Sequence, residues 1–188
     1  MKRPLNIALF ALWVLVAAGW LVPPAVQLAK AELAQVLIPH AWEKTLATGQ
    51  NHKPWPWADT WPVAKLKGPS GDVQYVLAHA SGQSLAFGPS LLPLSVAPQS
   101  TGTVALAAHR DTHFAYLEDT QHGDRFTLQR ADGSQTEYHV VRTEVVDSSN
   151  NQLYFQEQYS ELKLVTCYPF NALASGGPLR YVVTALPV

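Results

Sequence analysis

The chain is 188 residues long, has a formal net charge of −1 and contains one cysteine, Cys167. This length allows one modest domain with an appendage. The near-neutral charge gives no electrostatic case for a nucleic-acid partner, and a single thiol excludes any internal disulfide. Fourteen prolines and eleven glycines, scattered among Val, Thr, Tyr and Leu, point to short strands joined by turns and so to a mostly β class.

Leu5 to Val22 is an 18-residue stretch in which Asn6 is the one clearly polar side chain. It approaches the roughly 20 residues that span a bilayer as a helix. Lys2 and Arg3 precede it, which predicts a cytoplasmic N-terminus and a single-pass anchor in the plasma (inner) membrane. Everything after Val22 then lies on the extracytoplasmic or periplasmic side. The competing reading is a cleaved signal peptide, with Ala29-Lys30-Ala31 as the small-x-small site. The apolar stretch exceeds the usual signal core, and Pro23-Pro24 ends it well before Ala31, which favours the anchor. Both readings place the domain outside the cytoplasm, where a lone thiol oxidises or cross-links unless it has a task.

Residues 25–48 lack glycine and carry Val26, Leu33, Val36 and Leu37 at roughly helical spacing, with Pro39 as an interruption. A short helical stalk is expected. Next comes Asn51 to Pro62, with three prolines and three tryptophans, which reads as an extended apolar strap. The expected organisation is therefore 1–24 for the cytoplasmic tip and transmembrane anchor, 25–62 for stalk and strap, and 63–188 for a β domain.

Strands are predicted at Ala64–Lys67, Val73–Ala78, Ser84–Phe87 and Thr103–Ala108. A loop containing three prolines runs from Gly88 to Gly102 before the last of these. Asp124–Arg130 and Gln135–Val146 flank the turn Asp132-Gly133 and form a hairpin by turn chemistry. Leu162–Thr166 and Leu179–Leu186 complete the set. About eight strands without a long helix between them favour a closed, antiparallel-rich β-barrel with short helices and loops.

Three chemically capable residues fall at strand ends. His109 follows 103–108, Cys167 follows 162–166, and Arg180 opens the last strand. A thiol that attacks an amide must be ionised, must see its leaving amine protonated, and must have the tetrahedral oxyanion stabilised. Histidine suits the proton transfer because its ordinary pKa, about 6.5, lies near neutrality. Arginine stays charged and can hold the oxyanion. His40, His52, His79, His122 and His139 show no metal-ligand spacing, and no Gly-rich phosphate loop is present, so no metal or cofactor is expected. Arg110 and Asp111 read either as a local ion pair beside the histidine or as two solvated charges.

At these residues the chain resembles the sortases, the membrane-anchored cysteine transpeptidases. Leu164-Val165-Thr166-Cys167 matches their Thr-Leu-x-Thr-Cys motif from the leucine onward. His109 and Arg180 stand where the family's histidine and arginine stand. The resemblance covers essentially 63–188, including the Gly-Pro stretch at 85–102, "GDRFTL" at 123–128 and "EYHVV" at 137–141. Two departures are Lys163 in place of the motif's first threonine and Ala108 in place of a glycine often found before the histidine. Lys163 is expected to point away from the barrel or toward solvent. The Trp/Pro strap and the His-Arg-Asp-Thr-His-Phe wording look most like the Gram-negative class of the family.

The resemblance implies a sortase-like eight-stranded barrel with Cys167, His109 and Arg180 as catalytic residues. Thr166, Ala108, Tyr168 and His113 are the candidates for substrate contact. It further implies cleavage of an LPxTG-like C-terminal sorting signal on a target protein through a thioacyl-enzyme, and transfer of that target to an amine acceptor. The alternatives are a cysteine peptidase that releases the target to water and a non-catalytic, membrane-tethered peptide-binding module.

Overall fold

The computed structural model describes residues 29–82, 84–150, 153–172 and 176–188, together with Trp13 and Gly19. The chain divides into two units, Met1–Val36 and Leu37–Val188. In the first unit the described residues 29–36 are helical. The anchor expected over 5–22 lies outside the described residues, Trp13 and Gly19 excepted. Among the described residues no helix is long and apolar enough to cross a membrane.

In the second unit residues 37–48 are helical, so Pro39 does not interrupt the helix as expected. A proline inside a helix costs about 3 kcal/mol. Ile38, Ala41 and Trp42, each at most 3% exposed, bury enough apolar surface to offset that cost. Gly49 ends the helix with φ +69°, a left-handed conformation that glycine adopts without a Cβ penalty, and its N–H donates to Thr45 O at 2.8 Å. The strap that follows packs onto the barrel side through edge-to-face contacts of Trp55 with Phe87 and Trp61 with His79, while Trp57 stays exposed.

Eight strands form a closed barrel. They are β1 (Pro62–Lys67), β2 (Val73–Leu77), β3 (Ser90–Leu91), β4 (Thr103–Ala107), β5 (Arg125–Arg130), β6 (Gln135–Asp147), β7 (Glu161–Cys167) and β8 (Leu179–Pro187). Their order around the barrel is β1-β2-β3-β4-β7-β8-β6-β5. Alternation along the strands sends Leu66, Leu106, Phe126, Leu162, Leu164 and Val183 into the core, each fully buried.

Two local expectations are corrected. Residues 84–87 are not a strand, because Ser84–Ala86 is a single 3-10 turn. Ser81 and Ser84 hold it by exchanging backbone-to-hydroxyl bonds of 2.8 and 3.0 Å, a local capping pattern that competes with extended pairing. The loop expected from 88 to 102 instead contains β3, which pairs parallel with β2 at Leu77↔Ser90. Gly88 permits that pairing, since a Cβ there would meet Tyr75 O at 2.8 Å.

Of the eight strand pairs, β2·β3 and β4·β7 are parallel and the rest antiparallel. The parallel β4·β7 pair decides where chemistry can occur. Parallel neighbours end on the same rim, and β8, antiparallel to β7, begins there. His109, Cys167 and Arg180 therefore leave or enter the barrel on one rim.

Candidate active site

The last registered pair between β4 and β7 is Ala107↔Val165. One step on, Ala108 N–H donates to Val165 O at 3.3 Å and Thr166 Oγ1 donates to Ala108 O at 2.8 Å. These bonds carry the pairing to the two residues that precede His109 and Cys167, on strands whose spacing is about 4.8 Å. On the other side of β7, Cys167 registers directly with Arg180 of β8, and side chains of an antiparallel pair share a face. Two ladders thus bring a thiol, an imidazole and a guanidinium to one place.

His109, Cys167 and Arg180 all line one cavity of about 540 Å³. His109 is exposed and Cys167 half-buried, so sulfur and ring face accessible space. Ala108 and Thr166 line the same cavity. Most of the remaining lining is apolar, from Leu85, Leu92, Leu94, Val146, Leu153 and Phe155, with Ser148 as a polar exception. A groove of this composition favours ligands with apolar groups and offers few polar partners beside Cys167, His109 and Arg180. Leu94 stands out in that wall: it is 84% exposed and holds a left-handed φ of +73°, which costs a non-glycine residue about 1 kcal/mol or more.

Arg180 is held by its own neighbourhood. Its Nη1 donates to Gly177 O at 2.6 Å and to Leu179 O at 2.8 Å. These bonds fix the guanidinium plane through one nitrogen. Among the described residues they leave Nε and Nη2 as donors for an oxygen developing negative charge near the sulfur. Ser148 braces the same corner, donating its Oγ to Pro178 O at 2.6 Å and its N–H to that oxygen at 2.9 Å.

The other two candidates for substrate contact lie elsewhere. Tyr168 is not among the cavity-lining residues; it stacks on Tyr181 at 6.3 Å and meets Phe170 edge-on. Tyr168 lies just beyond the end of β7, and its ring is taken up by Tyr181 and Phe170. His113 is likewise absent from the cavity lining, and its backbone carbonyl accepts from Gln74 Nε2 at 2.5 Å. Burial pushes the His113 imidazole below its ordinary pKa; a hydrogen bond to the Ala86 backbone opposes this, and charge on His109 adds to it. A base with a lowered folded pKa binds a proton more readily when unfolded. Stability contributed by neutral His113 is therefore complete above pH 6.5 and is lost as pH falls through that value toward the lower folded one. Urea midpoints taken from pH 8 to pH 5 will fall on acidification, and a His113→Gln variant will show a shallower slope over that window.

Lys163 points away from the barrel, as expected, but not into open solvent. It lies on the outer face of β7 and is covered rather than solvated: Nζ is 3.2 Å from Glu161 Oε1, with the two side chains 12% and 5% exposed. Thr103 Oγ1 donates to the same Glu161 oxygen at 2.5 Å. Lys163 and Glu161 line a second groove together with Leu153, Tyr154, Gln156 and Tyr159, and this groove shares Val146 and Leu153 with the cavity at Cys167.

Thr166 gives a direct test of how the histidine segment is tied to β7. Valine at this position keeps the shape but removes the hydroxyl that bonds Ala108 O inside a fully packed rim, Thr166 being 2% exposed. Thr166→Val will lower unfolding stability by about 1–3 kcal/mol, whereas Thr166→Ser will retain most of it, as read by chemical denaturation.

Comparison with known proteins bears on the same residues. A family model described as the sortase domain matches residues 66–188. Sortase D of Bacillus subtilis (strain 168) is 34% identical over 87 residues, which cover 46% of this chain and 43% of that relative. The matched stretch is thus under half the length of that curated relative. Among solved structures, the Clostridium perfringens sortase D5 transpeptidase superposes with a TM-score of 0.66 at 16% identity, covering 84% of this chain and 99% of that one. A lid mutant of sortase A from Corynebacterium diphtheriae gives 0.59 at 21% identity over 88% and 95% of the two chains. At these identities the structural likeness speaks for the fold.

Proposed function

The chain belongs to the sortase family, and on that premise we propose that it is a cysteine transpeptidase acting on a C-terminal sorting signal of the Leu-Pro-x-Thr-Gly kind. The reading is carried by one observation, that Cys167, His109 and Arg180 line the same peptide-sized cavity. The thiolate of Cys167 attacks the carbonyl carbon on the N-terminal side of the scissile bond, forming the C–S bond. Arg180 holds the oxyanion through its free donors. His109, as imidazolium, protonates the departing amine as the C–N bond breaks. An incoming amine then attacks the thioester, neutral His109 takes its proton, and the thiolate leaves to regenerate the enzyme.

The acceptor in this proposal is an amine supplied by another molecule, and the target is a protein that carries the sorting signal. Delivery at an extracytoplasmic membrane surface, through the N-terminal anchor read from Leu5 to Val22, belongs to the same proposal. The Gram-negative class rests on the sequence wording alone; the relatives above bear D and A designations and do not support it.

The test is to incubate the protein with a fluorogenic Leu-Pro-x-Thr-Gly peptide with and without added triglycine or hydroxylamine, and to weigh the products by mass spectrometry. Amine incorporated into the N-terminal fragment supports transpeptidation. Cleavage with water alone as acceptor, at any amine concentration, overturns it in favour of a hydrolase. Binding without cleavage leaves only a peptide-recognition module.

A further inference from the structure

We propose that Arg110 is the positioning residue that sets the reach of His109 toward Cys167. The inference rests on the transpeptidase reading for its kinetic consequence and on the structure for its geometry. Arg110 was open to a reading as a solvated charge, yet it is 6% exposed. Its guanidinium spans two chain segments. Nη1 donates to Pro169 O at 2.7 Å and Nη2 to Ala172 O at 2.6 Å, while Nε donates to Asp111 Oδ1 at 3.1 Å. Pro169 and Ala172 lie two and five residues after Cys167; Arg110 directly follows His109.

The ladder between the two strands is exhausted just where precision is needed. Backbone pairing of β4 with β7 reaches Ala108 N–H to Val165 O, and the Thr166 hydroxyl adds one more tie to Ala108 O. Beyond it, the segments carrying imidazole and sulfur turn into separate connections. The fork of Arg110 is the next tie between those connections, and it reaches past both reacting groups. Together, Thr166 before the pair and Arg110 after it hold His109 and Cys167 from two sides.

The chemistry of the residue agrees with this role. A buried cation is costly unless its donors are used. Two of its partners are neutral carbonyls, and its carboxylate partner Asp111 is 68% exposed. The site does not require a charge as such. It requires donors spaced to grip two carbonyls three residues apart, which a rigid planar fork provides and an ammonium does not. Arg110 does not line the cavity and so does not act on a bound ligand directly; in this proposal it acts by holding the backbone of the His109 it follows against the connection after Cys167.

The experiment compares wild type, Arg110→Lys and Arg110→Met, each also combined with His109→Ala. Alkylation of Cys167 by iodoacetamide is followed from pH 5 to 10 alongside peptide kinetics and thermal unfolding. If Arg110 positions the imidazole, kcat falls about tenfold to a hundredfold with KM within about twofold, as a misplacement near 1 Å produces. The alkylation profile of both single variants shifts toward that of His109→Ala, and Arg110→Lys, keeping one of the two grips, falls between wild type and Arg110→Met. In the His109→Ala background, replacing Arg110 changes alkylation no further. Equal effects in both backgrounds would show a general loosening of the rim and overturn the proposal, as would wild-type kcat and alkylation in a folded variant. Should the wild-type protein process no peptide at all, the transpeptidase reading fails while the alkylation cycle still decides the role of Arg110. Arg110→Lys retains the charge and serves where Arg110→Met does not fold.

Discussion

Replacing Cys167 with alanine will reduce both peptide cleavage and amine transfer by at least about a thousandfold. Fold stability will move by less than about 1 kcal/mol, read by denaturant unfolding, because the change removes one sulfur from a half-buried strand end. The contrast between the two readouts gives the test its force. A thiol kept only for packing would show the opposite, with a measurable loss of stability and unchanged turnover. A peptide-recognition module would keep its affinity for the sorting peptide after the substitution, so binding by fluorescence anisotropy separates that case. Wild-type turnover in Cys167→Ala would remove the proposed chemistry altogether.

The second large effect is expected at Arg180. Lysine there keeps the positive charge but replaces a planar fork with a single point donor. In the structure one nitrogen of Arg180 is committed to Gly177 O and Leu179 O, which leaves the others to meet an oxyanion opposite Cys167. An ammonium has its three donors on a single atom, so it cannot stay on those two carbonyls and reach an oxyanion on another side as a three-nitrogen fork does. Arg180→Lys will therefore lower kcat by about 10²–10³-fold with KM changed only a few-fold, the signature of a donor that matters mainly in the transition state. Steady-state kinetics on the fluorogenic peptide measure both. A rise in KM with kcat preserved would make Arg180 a substrate anchor instead.

How much of this could be read from the sequence follows from how local each signal is. The closed barrel and most strand limits were legible because alternation and turn residues act over a few positions; Asp132-Gly133 closes the β5–β6 hairpin as expected. The three strand-end residues were legible for the same reason. Ser84–Ala86 was not, because its Ser81–Ser84 bonding pattern has the same polar and apolar spacing as a short strand. β3 was hidden because a two-residue strand leaves no period to detect, and its position depends on the close approach of Gly88 to β2. The apolar walls from Leu94, Leu153 and Phe155 come from distant connections that meet only in the closed barrel. Arg110 was ambiguous because its partners lie 59 and 62 residues away. Tyr168 was a candidate through its adjacency to Cys167, but its ring packs with Phe170 and Tyr181, contacts that adjacency does not reveal.

The cavity at Cys167 has an uneven construction. His109, Cys167 and Arg180 stand at strand ends tied by hydrogen-bond ladders, while Leu85, Leu92, Leu94, Leu153 and Phe155 reach its walls from the connections. A laboratory library aimed at new peptide preferences would therefore randomise those connections and leave 103–110 and 161–167 untouched. Recombining such connections between distant homologues would swap recognition without dismantling the reaction, so selectivity and turnover are open to improvement in separate rounds.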